Sequence, residues 1–205
     1  MNPMKTLSRL LLAITLTFAA ALPSWPANES PDLLVKNTVE EVLGVMKQNQ
    51  DRATLRKLAE QKVLPNFDFK EMTRLAVGVA WRKATPEQRR ALEENFRELL
   101  VNTYVNALSQ AGSSGNKTVD VKPAPPSKNN DTVVKTQVKE PGKEPLEIDY
   151  RMSNRDGTWK VYDVVVEGVS LVTNYRSSFA EEVRSSGIDG LIKTLQERNA
   201  RLAKG

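Results

Sequence analysis

Neither cysteine nor histidine occurs anywhere in the 205 residues. Without cysteine there is no disulfide framework, so stability must come from a buried core, which a chain of this length can supply. Without histidine the usual general base, the commonest metal ligand and every His-dependent triad are excluded together. Aromatic residues make up 6% of the chain, so few large rings are available to fill an interior. There is no glycine-rich phosphate loop and no metal-ligand cluster; the chain should bind neither ATP nor metal, and no cofactor is expected. The formal charge of +5 contains no block of like charges. Scattered Lys and Arg read as a solvated surface, or as a basic face toward an acidic partner or anionic lipid headgroups. Nucleic acid is not expected, because no strand interleaves aromatic and basic residues.

The N-terminus has secretory character. Lys5 and Arg9 precede an apolar run from Leu10 to Leu22 that stops at Pro23, too short for the roughly 20 apolar residues of a spanning helix. It reads as a cleaved signal peptide over residues 1–27, with cleavage after a position between 21 and 27, and implies export to the periplasm. The h-region is followed by no cysteine, which excludes a lipoprotein anchor.

Residues 28–112 read as a helical part. Leu34, Val35, Thr38, Val39, Val42, Leu43 and Met46 recur at helical spacing. A second helix is predicted over 52–64 and stops at Pro65. Asp68 and Glu71 predict a capping box for a third, which Gly78 closes. Thr85, Pro86 and Gln88 open a long helix with Leu92, Phe96, Leu99, Tyr104 and Leu108 on one stripe, ending at Gly112. After the turn-rich "GSSGNK" the character changes. Four strands are predicted at 118–121, 132–138, 146–152 and 158–166, with short connectors that make an antiparallel meander. Two helices follow, one capped by Ser170 and one carrying Ile188, Leu191, Ile192 and Leu195. Residues 113–205 are thus a sheet with C-terminal helices, and the fold class is α+β.

The fourth strand carries the functional question. In "WKVYDVVVEGV" the alternation of Trp159 to Asp163 gives way to Val164, Val165 and Val166 together, whereas an antiparallel sheet usually wets one face. Either helices cover both faces and the strand is dry, or the sheet curls at Gly168 around an elongated apolar cavity. Spacing alone suits the dry strand at least as well; the supply of apolar helix faces, set against strands dominated by short valines, speaks for the cavity, which would hold a hydrocarbon ligand with a polar end at the mouth. Ser170 in "EGVSL" lacks both a second glycine and a histidine, so it is a helix cap rather than a nucleophile. Asp163 is expected to make a structural hydrogen bond. The alternative function is a lipid hydrolase on a cone-shaped fold with a carboxylate base, for which Asp163 is the candidate.

Four stretches, "LPNFDF", "WRKATPEQRRALEENFRELLVNTY", "WKVYDVVVEGVSLVTNYRSSF" and "GIDGL", occur in the order and with the gaps of one family. The chain resembles the MlaC family of periplasmic phospholipid-binding, toluene-tolerance proteins. The resemblance implies a cone-like, strongly twisted sheet related to the nuclear-transport-factor group, with helical and sheet parts enclosing an apolar cavity as one lipid-binding unit. It implies a non-catalytic carrier for a glycerophospholipid. Implied partners are the inner-membrane substrate-binding ring of an ABC-type permease and an outer-membrane lipoprotein–porin complex, in a system maintaining lipid asymmetry. Candidate lipid contacts are Tyr150, Val164, Val166 and Val169 on the sheet side, and Leu99, Tyr104, Leu108, Val172 and Tyr175 on the helix side; each reads equally as ordinary core. Arg97, Arg151 and Arg176 are the headgroup candidates, each also suited to a surface ion pair.

Overall fold

A computed structural model describes residues 29–49, 51–110 and 116–204. The signal segment 1–27 and the predicted stop at Gly112 lie outside the described residues. Helix α1 (Pro31–Gln48) opens with Pro31 and Asp32 in its first turn. The side chain of Asp51 accepts from the Thr54 amide at 2.9 Å and starts α2 (Arg52–Leu58). The single helix predicted over 52–64 is not what forms. The backbone widens into a π turn at Ala59–Val63 and tightens into a 3₁₀ turn at Leu64–Asn66, where Pro65 has no amide to donate.

Asp68 caps α3 (Phe69–Val77) through the Glu71 amide at 2.8 Å, and Gly78 ends it at φ +64°. The predicted box is not reciprocal there: Glu71 turns instead to Arg74 at 2.6 Å and Arg155 at 3.5 Å. At α4 (Pro86–Gln110) the box does close, with Gln88 N donating to Thr85 Oγ1 at 3.2 Å and Thr85 N to Gln88 Oε1 at 3.0 Å.

Five antiparallel strands follow in sequence order: β1 (Thr118–Val121), β2 (Asp131–Lys139), β3 (Leu146–Asn154), β4 (Trp159–Val166) and β5 (Val169–Ser170). The four predicted strands are there, and the count is corrected to five. Glu167 and Gly168, both at positive φ (48° and 78°), form a two-residue turn that folds Val169 back onto Val166. Helix α5 (Leu171–Lys204) is broken at Gly187 (φ +74°) into the two predicted helices.

The decisive irregularity lies between β3 and β4. Arg151 pairs with Asp163, but Met152 pairs with Val161, leaving Tyr162 as an extra residue. A bulge of this kind changes which parity of side chains faces which way. Odd-numbered Val161 and even-numbered Val164 and Val166 therefore share one face, with Met152, Tyr150 and Ile148 opposite them. Asp163 moves to the other face, where it is buried at the start of α5. It accepts from Ser170 Oγ at 2.6 Å, from the Val172 amide at 3.1 Å and from Arg151 Nη1 at 3.2 Å. Ser170 in turn caps α5 through the Thr173 amide at 3.1 Å.

The interior is divided. One core packs α3, α4 and α5 around Met72, Leu92, Phe96, Phe179, Leu191 and Leu195. A second joins α1 to the sheet through Val35, Val134, Met152 and Val161. A third joins α1, α2 and the C-terminal half of α4 through Met46, Leu55, Val101 and Val105.

Because Asp163 satisfies three donors at once, Asp163→Ala should destabilise the protein by about 2–4 kcal/mol. Arg151→Ala, which removes a half-exposed partner, should cost under about 1 kcal/mol. Urea unfolding midpoints at unchanged slope measure both; equal losses would mean that Asp163 acts only as the ion-pair partner of Arg151.

Candidate functional site

Between the second and third cores lies a cavity of about 440 Å³. It is about three times the roughly 150 Å³ void that accepts benzene in a protein core, and within the range of small-molecule pockets. Its walls come from α1 to α4, from β2 to β4 and from the first residue of α5. From α1 come Leu34, Val35, Thr38, Val39, Val42, Leu43 and Met46, one stripe along the whole helix. Leu55, Leu58, Ala59, Val63 and Leu64 supply α2 and the turns after it. The sheet supplies Val138, the even-numbered residues Leu146 to Met152 of β3, and Val161, Val164 and Val166 of β4.

Helix α4 contributes Leu100, Val101, Tyr104, Val105 and Leu108. Its predicted single stripe is in fact two. At 3.6 residues per turn, Val101 lies about half a turn round the axis from Leu92. Leu92, Phe96 and Leu99 enter the helical core, while Val101, Tyr104, Val105 and Leu108 look the opposite way into the cavity.

Of the nine lipid-contact candidates, the structure gathers Tyr104, Leu108, Tyr150, Val164 and Val166 on the cavity wall. The other four lie elsewhere. Leu99 and Val172 are buried in the helical core. Tyr175 packs there too, its ring 5.0 Å from Phe96 and 5.4 Å from Phe179. Val169 is 61% exposed at the β4–β5 turn. The three arginines are also off the cavity. Arg97 lies 5.9 Å over the Phe69 ring, Arg151 is paired with Asp163, and Arg176 lays its guanidinium against Gly78. The α1 stripe is a wall that helical spacing alone does not disclose, although every one of its residues recurs at that spacing. The sequence pattern also leaves unmarked Phe67, Phe69, Met72 and Lys117, which line the cavity from turns, a short helix and a strand end.

Tyr104 of α4 and Leu146 of β3 are the exposed residues of the lining, at 44% and 41%. Polar groups on the wall are few. Thr38 Oγ1 donates to Leu34 O at 2.7 Å and accepts from Asn66 Nδ2 at 3.1 Å, so both side chains are occupied. Burial pushes the Tyr150 phenol up to about 12 and raises Tyr104 as well. Asp163, the base that hydrolysis would need, is on the opposite face of the sheet and committed to α5.

A sequence model described as MlaC protein matches residues 36–197. The chain belongs to the MlaC family. It is 30% identical over 184 residues to the toluene tolerance protein ttg2D of Pseudomonas putida, covering 87% of this chain and 84% of that one. It is 24% identical over 196 residues to the intermembrane phospholipid transport system binding protein MlaC of Haemophilus influenzae, covering 91% and 90%. The phospholipid-binding protein of Ralstonia solanacearum, solved in complex with a phospholipid, superposes with a TM-score of 0.76 at 35% identity. That match covers 85% of this MlaC-family chain and 99% of the Ralstonia chain.

The Tyr150 phenol gives a direct test of how dry the cavity is. A folded-state value above the unfolded one stabilises the protein fully below about pH 10, and this contribution is lost as pH rises toward 12. The loss should be on the order of 2 kcal/mol. Tyrosinate absorbance of wild type minus Tyr150→Phe should show one phenol titrating near 12. A difference curve centred near 10 would mean that water reaches the wall freely.

Proposed function

We propose that this chain is a periplasmic phospholipid carrier that performs no chemistry on its ligand. The observation that carries the reading is the cavity itself: an apolar space of about 440 Å³ whose walls the chain's own side chains leave unfilled, in a protein family with a phospholipid-bound relative. Water in such a space finds almost no partners, whereas each buried methylene gains about 0.8 kcal/mol over water. A bilayer offers a fatty chain the same gain. Moving between bilayer and cavity is therefore near balance, which is what a carrier that must both load and unload requires.

In this reading Tyr104, Leu108, Tyr150, Val164 and Val166 touch the acyl chains together with the α1 stripe, and the headgroup stays at the Tyr104–Leu146 mouth. The sheet is a strongly twisted, cone-like wall of the nuclear-transport-factor type; the Tyr162 bulge supports this, because bulges increase local twist. The helical and sheet parts act as one lipid-binding unit, since α1 packs on both. The lipid is exchanged with an outer-membrane lipoprotein–porin complex and with the inner-membrane substrate-binding ring of an ABC-type permease, as the family membership suggests. Residues 1–27 serve for export. A hydrolase reading finds no support in the placement of Asp163.

Native mass spectrometry of gently purified protein should find phospholipid bound, and delipidated protein should reload from vesicles. Val166→Trp should fill the cavity, lower the bound lipid severalfold and leave the fold intact, because the added volume enters open space. If the same substitution instead destabilises the protein by about 1–3 kcal/mol, as overpacking a solid core does, and lipid is absent from wild type, the carrier reading fails.

A further inference from the structure

Among the described residues lining the cavity, Lys117 is the single charged side chain. It stands one residue before β1, at the sheet end where cavity-lining Val138 and Leu146 pair across β2 and β3. Leu146, at this end, is one of the two exposed residues of the lining. The Lys117 side chain is 19% exposed, and its ammonium is directed to Glu140, which is not part of the lining.

The ammonium is only loosely engaged. Its distance to Glu140 Oε2 is 3.6 Å, beyond ordinary hydrogen-bond length. Glu140 has a better partner in Lys143, whose Nζ lies 3.0 Å from Oε1. That contact is the main cause holding the Glu140 carboxyl below the usual range, with Lys117 a lesser one. Glu140 can therefore surrender Lys117 and remain both ionised and paired.

We propose that Lys117 is the residue of this carrier that recognises the lipid phosphodiester, exchanging Glu140 for the phosphate while Glu140 stays on Lys143. The assignment rests on the carrier reading and deepens it. The ammonium is a compact charge with three freely rotating donors, so it can meet a phosphodiester without reading the group beyond it. Discrimination then falls between lipids with and without phosphate, and not between one phosphatidyl headgroup and another. Arg97, Arg151 and Arg176 take no part, since none of them lines the cavity.

The test uses delipidated full-length mature protein and vesicles of phosphatidylethanolamine, phosphatidylglycerol and diacylglycerol with identical chains, with bound lipid counted by mass spectrometry. Lys117→Gln should lower uptake of both phospholipids about tenfold or more, the worth of one charge-assisted contact, and leave diacylglycerol uptake unchanged. Glu140→Gln should raise phospholipid uptake by removing the competing anion. Arg176→Gln should change neither. Millimolar inorganic phosphate, which has no chains to bury, should not compete. An unaltered ratio of phospholipid to diacylglycerol in Lys117→Gln overturns the assignment. Equal loss of all three lipids also overturns it, because the lysine would then act as wall alone. Wild type that takes up no lipid overturns the carrier reading, and this assignment with it; wild type that loads normally separates the two.

Discussion

One supernumerary residue in β4 organises the molecule. With Tyr162 left out of the pairing, Val161, Val164 and Val166 stand in one row facing the cavity, and Asp163 is turned to the other side of the sheet. Each consequence needs the other. A regular strand would aim Val161 and Val164 to opposite faces, dividing the apolar wall and putting a carboxylate beside it. An ion turned into hydrocarbon without partners is costly. The bulge places that carboxylate where two hydroxyl and amide donors of the β5–α5 junction and one guanidinium are waiting. The same local event makes the wall apolar and anchors the long C-terminal helix.

The cavity persists because its walls are held from outside it. Helix α4 is apolar on two opposite sides, packed against α3 and α5 on one and, on the other, against α2 and the end of α1 where they border the open space. Helix α1 has no such second support. It is fixed at its ends and flanks by contacts with β1 and β2, by Met46 in the third core, by Asn66 on Thr38, and by the Lys62–Glu41 pair at 3.0 Å. The π turn at Ala59–Val63 keeps the chain wide just where it borders the space. Short side chains on the sheet and helices bridged at their ends leave a volume that dispersion forces would otherwise close. Hydrocarbon from a ligand is the natural completion of such a wall.

The sequence was legible where period and punctuation agreed. The α1 stripe, the Thr85–Gln88 box, the four longer strands and the two C-terminal helices each follow from local chemistry, and the structure carries all of them. What was illegible depended on partners distant in the chain. The bulge cannot be seen in "KVYDVVV", because its existence lies in the register against β3; read alone, those letters suggest a strand apolar on both faces. The two faces of α4 merge into one stripe when Leu99 and Tyr104 are placed together. Likewise Leu99, Val172 and Tyr175 look like cavity residues until α5 is seen to pack on the other side of α4. Lys117 carries no local signal at all, since a single lysine before a short strand is ordinary surface in any sequence.

The central claim is that the protein's own side chains leave the interior incomplete and that lipid hydrocarbon finishes it. Calorimetric melting of the delipidated chain, before and after reloading from phospholipid vesicles, tests this most directly. A ligand held at about a hundred times its dissociation constant adds close to 3 kcal/mol to stability, which for a chain of this size raises the melting temperature by about 5–10 °C. The account predicts that rise, reversed on extraction of the lipid; superimposable melts with and without lipid would contradict it.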